Sequence, residues 1–228
     1  MIEFLLLDLD DTILDFHQSE YVAIRKTLSA FGIDPTDQVC DLYSRINLAH
    51  WKALERKEIT RERLEVSRFE QLFAQLQIQV DAAACGRLYY ENLSAGHYFL
   101  EGAREAVERL SKKYRLYMVT NGTSKVQHRR IAGSGIAPLF RGIFISQEIG
   151  ADKPDKMFFD HAFARIPGFD PKKAMIVGDS LSSDMQGGKN AGIATCWINP
   201  KHKKPPEHLM PDYELESITQ LEALLQDL

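Results

Sequence analysis

Asp8 and Asp10 close a run, Ile2–Leu7, that is apolar apart from Glu3 and suits a strand buried on both faces of a parallel sheet. Two residues apart in extended chain, their side chains can point the same way and place two carboxylates at one strand tip. Such a pair can divide its work between a nucleophile that also ligates metal and a group that carries protons. A calcium loop is one competing use of this spacing. An EF-hand, however, needs Gly at its sixth position and Glu at its twelfth, where this chain has Ile13 and Ser19. A plain polar turn after the strand is the other, and on this stretch alone it stays open.

Three further stretches carry comparable possibilities. In Val119-Thr120-Asn121-Gly122 a hydroxyl is followed by backbone N–H groups at a glycine turn before a helix. That is a ready cradle for phosphate, and equally an ordinary Asn-Gly turn. In Lys153-Pro154-Asp155 the proline suits the first turn of a following helix, which would hold the Lys153 ammonium at the helix mouth against phosphate charge. Taken alone, Lys153 reads as a solvated surface lysine. In Gly178-Asp179-Ser180-Leu181-Ser182-Ser183-Asp184 the first aspartate ends an apolar run and is a hard oxygen ligand of the type Mg²⁺ takes. Asp184 serves either the site or the N-cap of the next helix.

The elements that must position these groups alternate. Apolar runs at Leu116–Val119, Ile143–Ile145, Ala174–Val177 and Ala194–Ile198 follow the first one. Helical patterns lie between them at Ala103–Lys112, Lys125–Ala132, Lys156–Ile166 and Asp184–Ala191. The alternation predicts an α/β fold, a doubly wound, Rossmann-like parallel sheet with right-handed crossovers. Each chemical stretch then falls at the carboxyl end of a strand, the edge where open α/β sheets bind ligands. Between about Phe16 and His97 there is no strand signal. Tyr21, Ile24, Leu28 and Phe31 share one helical face, and Val39, Leu42, Ile46 and Ala49 share another. Leu64, Leu72, Phe73 and Leu76 mark a third helix, Leu88 and Leu93 a fourth. Residues 1–15 and 100–228 are therefore expected to form the α/β core, with a helical insert at 16–99.

Composition narrows the function classes. The chain has 228 residues, 44% of them hydrophobic, and a net charge of −4. That charge provides no attraction to a nucleic-acid polymer or an anionic membrane. Cys40, Cys85 and Cys196 have no metal-binding or disulfide spacing, which suits a reducing compartment. No signal-peptide pattern and no apolar stretch of spanning length is visible, so the expected location is the cytoplasm.

Together the stretches resemble the haloacid dehalogenase superfamily in its phosphatase branch. Its pattern is a strand ending Asp-x-Asp-x-Thr, a strand ending in Thr or Ser, Lys before a helix, then Gly-Asp-x-x-x-x-Asp. Here these are Asp8, Asp10 and Thr12; Thr120; Lys153; and Asp179 with Asp184. The insert lies where that superfamily carries a C1-type helical cap. The segments Asn47–Arg56, Gly187–Gly192 and Ala194–Asn199 further resemble YjjG-type nucleoside 5′-monophosphate phosphatases. The resemblance implies that Asp8 attacks phosphorus and that Asp10 serves as acid and then base. It implies Mg²⁺ held by Asp8, the Asp10 carbonyl and Asp179, with Asp184 orienting a metal-bound water or Lys153. Thr120, Asn121 and Lys153 would bind the phosphate. Phe16, His17, His50 and Trp51 are the candidates for recognising the rest of a small nucleotide substrate. A dehalogenase of the same superfamily would lack the second aspartate, and Asp10 is present.

Overall fold

The computed structural model describes all 228 residues. It divides into two compact units, Met1–Asp15 with His97–Leu228, and Phe16–Gly96.

In the first unit, β1 (Phe4–Leu7) lies inside a six-stranded, fully parallel sheet of order β3-β2-β1-β4-β5-β6. The others are β2 (Arg115–Thr120), β3 (Gly142–Ile145), β4 (Ala174–Gly178), β5 (Ala194–Ile198) and β6 (Tyr213–Leu215). Strand side chains alternate, so β1 feeds two cores. Leu5 and Leu7 join Ala103, Val107, Leu110, Ile131, Leu221 and Leu225 on one face; Phe4 and Leu6 join Phe158, Phe159 and Ala162 on the other. Each fully buried leucine of this strand contributes roughly 2 kcal/mol of hydrophobic stabilisation. The strand reads as uninterrupted apolar sequence because neither face meets water.

The chain passes from β1 to β2 and β3 on one side, then returns to β4 on the other. β1 is therefore the switch point where a crevice opens outside the carboxyl ends of the strands. Leu7 is in register with Met118 and with Val177, so the strands leave the sheet in step.

The covering helices are α5 (Ala103–Ser111), α6 (Ser124–Ser134), the single turn α7 (Ser146–Ile149), α8 (Lys156–Phe163), α9 (Gln186–Ala191) and α10 (Leu221–Gln226); four earlier helices belong to the second unit. Two sequence expectations need correction here. The helix expected from Asp184 begins with a π-turn, Leu181–Met185, before α9, because Asp184 is drawn inward to buried partners. Pro154 does not occupy the first turn of α8: that helix starts at Lys156, capped by the Asp155 side chain on Met157 N. β6 escaped the sequence reading because it is three residues long and half exposed at the sheet edge.

The second unit is four helices, α1 (Phe16–Ala30), α2 (Asp37–Glu55), α3 (Arg61–Leu76) and α4 (Ala82–Ser94). Within it α1 packs on α2 and α4, and α3 packs on α2 and α4. Thr36, Thr60 and Asp81 cap the last three by accepting from Val39, Arg63 and Ala84 N–H groups. The buried stripe of α2 is Cys40, Tyr43, Ile46 and Asn47, so the expected face of Val39, Leu42, Ile46 and Ala49 is rotated. Tyr21 of α1 is likewise exposed, donating to Asp37, and Phe31 lies beyond the helix end.

The reason for the rotation is a polar core that an apolar-periodicity reading overlooks. Arg68 is 1% exposed and donates to Asn47 Oδ1 at 2.8 Å. Asn47 in turn donates to Glu20 Oε1 at 2.6 Å, and Ser44 also donates to Glu20. The Arg68 guanidinium lies over the rings of Tyr89 at 4.7 Å and Tyr90 at 4.9 Å, a desolvated cation–π arrangement. Burial raises the Glu20 carboxyl above its usual range, against the two hydrogen bonds.

Candidate active site

Asp8 follows β1 directly, and its N–H donates to Val177 O of β4 at 2.9 Å, continuing the sheet by one bond. That pins its carboxylate between the ends of β2 and β4. Lys153 reaches the same point from the loop before α8. Its ammonium donates to Asp8 Oδ1 at 2.7 Å, Asp184 Oδ1 at 2.6 Å and Val119 O at 2.7 Å. All three of its N–H bonds are used, and the side chain is 1% exposed. Lys153 is therefore buried among the edge residues, not solvated as its stretch taken alone suggests.

Asn121 clamps the backbone of Lys153 through two bonds of 2.9 Å, accepting from its N–H and donating to its carbonyl. The side chain of Asn121 is thus spent on holding Lys153. Asp184 is fully buried, accepting from Lys153 and from Ser180 N at 3.1 Å. It is no N-cap; Ser180 takes that role, accepting from Ser183 N. Gly178 makes this packing possible, since a Cβ there would stand 2.2 Å from Asp184 Oδ2. Trp197 at the end of β5 donates its indole N–H to Asp179 O at 2.8 Å and anchors the loop that presents Asp179.

Carboxylate oxygens of Asp8, Asp179 and Asp184 lie within 4.8 Å of one another. Burial, the largest influence, pushes Asp8 up to about 8; Lys153 opposes this, while Asp184 and Asp10 add to it. Asp179 is raised well above its usual range by burial and by the Asp8, Asp184 and Asp11 carboxylates. One ammonium cannot offset this much crowded negative charge. The donors are hard oxygens with no His or Cys among them, which fits a magnesium ion.

Asp8 in the metal-free folded state keeps a proton that the unfolded chain releases near its ordinary value, 3.8. Its contribution to stability is present below about 4 and is lost as pH rises through about 8. In EDTA the melting temperature should fall between pH 5 and pH 8, and Mg²⁺ should raise it by about 3 °C or more at pH 8, with a smaller gain at pH 5. An equal Mg²⁺ effect at both pH values would contradict this reading of the carboxylate cluster.

Asp10 and Thr120 complete the strand edge. Thr120, the last residue of β2, is 1% exposed. Asp10 accepts from Arg130 Nη1 at 2.5 Å and from Gln127 Nε2 at 2.9 Å. The structure thus gathers Asp8, Asp10, Thr120, Asn121, Lys153, Asp179 and Asp184 at one edge of the first unit. Phe16, His17, His50 and Trp51 belong to the second unit. There His50 Nδ1 bonds Ile46 O of its own helix at 2.9 Å, and Trp51 lies under the Arg61 guanidinium at 5.4 Å. Two further aromatic rings face guanidinium groups, Tyr90 that of Arg68 and Phe99 that of Arg104.

The sequence model of the family described as haloacid dehalogenase-like hydrolase matches residues 5–198, a span holding every one of the edge residues. The chain belongs to this family. Among curated relatives of this haloacid dehalogenase-like hydrolase, the pyrimidine 5′-nucleotidase PynA of Streptococcus pneumoniae is 38% identical over 220 residues, 96% of this chain and 93% of the relative. The pyrimidine 5′-nucleotidase YjjG of Escherichia coli is 28% identical over 223 residues, 98% and 97% of the two chains. The crystal structure of Bacillus subtilis YfnB bound to magnesium superposes with a TM-score of 0.94 at 37% identity, covering 98% of each chain. No helix of this hydrolase is long and apolar enough to cross a membrane.

Apolar periodicity does not point to Gln127, Arg130 or Trp197 as site residues. Gln127 and Arg130 lie on the buried face of α6, where polar side chains are expected to face water. Their spacing of three, directly after the Thr-Asn-Gly turn, was the available signal.

Proposed function

We propose that this hydrolase cleaves phosphate monoesters, with nucleoside 5′-monophosphates as its substrates, through transient phosphorylation of Asp8. The observation that carries the reading is the pair of carboxylates in different settings at one strand tip. Asp8 is gripped by Lys153 beside two further aspartates, and Asp10 is held apart from that grip by Gln127 and Arg130. An oxygen of Asp8 bonds phosphorus as the bond to the leaving oxygen breaks, and Asp10 supplies the proton that the leaving oxygen takes. Asp10 then accepts a proton from the water that splits the aspartyl-phosphate, releasing phosphate. Thr120, the Asn121 N–H and Lys153 are assigned to the phosphate oxygens, Lys153 by giving up one of its three present bonds, and losing one such donor typically costs on the order of 3 kcal/mol in the transition state. Asp8, the Asp10 carbonyl and Asp179 would hold Mg²⁺, whose positive charge would let a phosphate dianion approach carboxylates.

The two curated nucleotidase relatives, each aligned over nearly the whole chain, favour nucleotides over other esters. Selectivity for base and sugar is assigned to the helical unit through Phe16, His17, His50 and Trp51. Phosphate release should be measured with pyrimidine and purine 5′-monophosphates, sugar phosphates, glycolate phosphate and p-nitrophenyl phosphate. Turnover is expected with Mg²⁺, lost in EDTA and not restored by Ca²⁺, which prefers more ligands at longer distances. Trp51→Ala should lower kcat/KM for nucleotides by about tenfold, the equivalent of a 1–3 kcal/mol base stack, and leave p-nitrophenyl phosphate little changed. Preference for a sugar phosphate would remove the nucleotide assignment, and full activity in EDTA would remove the metal.

A further inference from the structure

Asp10 and Thr120 stand at the ends of different strands and are joined through one side chain. Gln127 Nε2 donates to Asp10 Oδ2 at 2.9 Å and to Thr120 Oγ1 at 2.8 Å. Arg130 Nη1 donates to Asp10 Oδ1 at 2.5 Å and to Gln127 Oε1 at 2.9 Å. A guanidinium has only donors, so the Gln127 oxygen must face Arg130 and its NH₂ must face Asp10 and Thr120. A single amide orientation satisfies all three bonds that the amide makes. Gln127 and Arg130 are 2% and 1% exposed, and they lie three apart on one face of α6, which starts just past the Thr120 turn.

The turn is built around this arrangement. A Cβ on Gly122 would lie 2.7 Å from Gln127 Cγ and 2.9 Å from its Nε2, so any larger residue would push the amide off its partners. Because Thr120 Oγ1 already accepts from Gln127, its own O–H is directed to another acceptor, and a phosphate oxygen is the one the proposed reaction provides.

We infer that Gln127 and Arg130 are positioning residues for proton transfer at the leaving oxygen. They hold the Asp10 carboxyl in one rotamer, at a set spacing from the hydroxyl that binds the phosphate. The inference rests on the phosphomonoesterase reading above. In the step concerned, the Asp8–phosphorus bond forms, the bond from phosphorus to the leaving oxygen breaks, and a proton passes from Asp10 to that oxygen. A displaced Asp10 harms this step most when the leaving oxygen is basic.

The test uses the full-length enzyme with Mg²⁺ and two substrates of similar shape, phenyl phosphate and p-nitrophenyl phosphate. Phenolate is the more basic leaving group and depends more on the proton, and kcat/KM reports the step in which it departs. Gln127→Met should lower kcat/KM for phenyl phosphate by about tenfold more than for p-nitrophenyl phosphate, a fraction of the 10²–10⁴ typical of general acid catalysis. Asp10→Asn should shift the ratio in the same direction and further. Arg130→Lys should retain more of the wild-type ratio than Arg130→Met. Gln127→Asn keeps the amide and shortens its reach; it should also shift the ratio, and it carries the test if Gln127→Met melts below assay temperature. Equal losses on both substrates in folded Gln127 variants would overturn the inference and leave a purely structural role. Inactivity of the wild type on both would instead overturn the phosphatase reading.

Discussion

Asp8→Asn should reduce turnover by roughly 10⁴-fold or more, in the range seen when a covalent nucleophile is removed from an enzyme whose remaining groups stay in place. The amide has almost the shape of the carboxylate but is a poor nucleophile and a weaker ligand for a hard cation. The expected fold is unchanged. The Asp8 N–H bond to Val177 belongs to the backbone, and Lys153 can still donate to the amide oxygen while keeping Asp184 and Val119. Burial of a charged Asp8 is costly enough to push its carboxyl up to about 8, so the neutral amide should leave the metal-free protein at least as stable as the wild type at pH 8. Steady-state phosphate release and thermal melts in EDTA read both quantities. Activity within tenfold of wild type would remove Asp8 from the role of nucleophile.

Lys153→Met should be the most damaging single substitution for stability in the site. It leaves the Asp8 and Asp184 carboxylates facing one another in a buried space with no cation, and it strips Val119 O of its donor. Breaking a buried ion pair by removing one partner typically costs about 3–5 kcal/mol. The loss should be largest near pH 8 in EDTA. It should shrink toward pH 5, where Asp8 in the folded state holds its proton and needs no counter-charge. Mg²⁺ should recover part of it at pH 8 by mass action, because the ion binds the folded cluster only. Urea unfolding at the two pH values, with and without Mg²⁺, measures all three trends. A variant within 1 kcal/mol of wild type at pH 8, on the scale of a typical surface substitution, would mean that water screens the cluster.

The two substitutions separate what the buried charges do. In the proposed reaction Asp8 makes the bond to phosphorus, and its burial is costly to the fold, whereas Lys153 relieves the burden that Asp8 and Asp184 create. The low-dielectric setting that makes the charges expensive also strengthens their pull on an incoming phosphate and cation. Stability and chemistry therefore draw on the same contacts. Arg68 and Glu20 in the helical unit are a second buried polar system, linked there through Asn47, with the Tyr89 ring against the guanidinium.

Much of this was legible in the sequence because its causes are local. Ile2–Leu7 announces a strand buried on both faces, and Asp8 and Asp10 must leave its end. Strand–helix alternation fixes a parallel doubly wound sheet, since right-handed crossovers leave little other choice. The spacing of Thr120, Lys153, Asp179 and Asp184 after their strands then places them on one edge. What only the tertiary structure decided depends on partners distant in the chain. Whether Lys153 was solvated or buried turned on two carboxylates and a carbonyl brought from three other strand ends. Whether Asp184 capped a helix or turned inward was set by Lys153 and by the space left at Gly178. The buried face of α2 follows Asn47 toward Glu20 and Arg68, polar groups that an apolar stripe does not record. Gln127 and Arg130 look like surface residues in sequence because periodicity counts apolar side chains. A buried polar side chain becomes stable only when the fold supplies its hydrogen-bond partners, and here those are Asp10 and Thr120 from the ends of other strands.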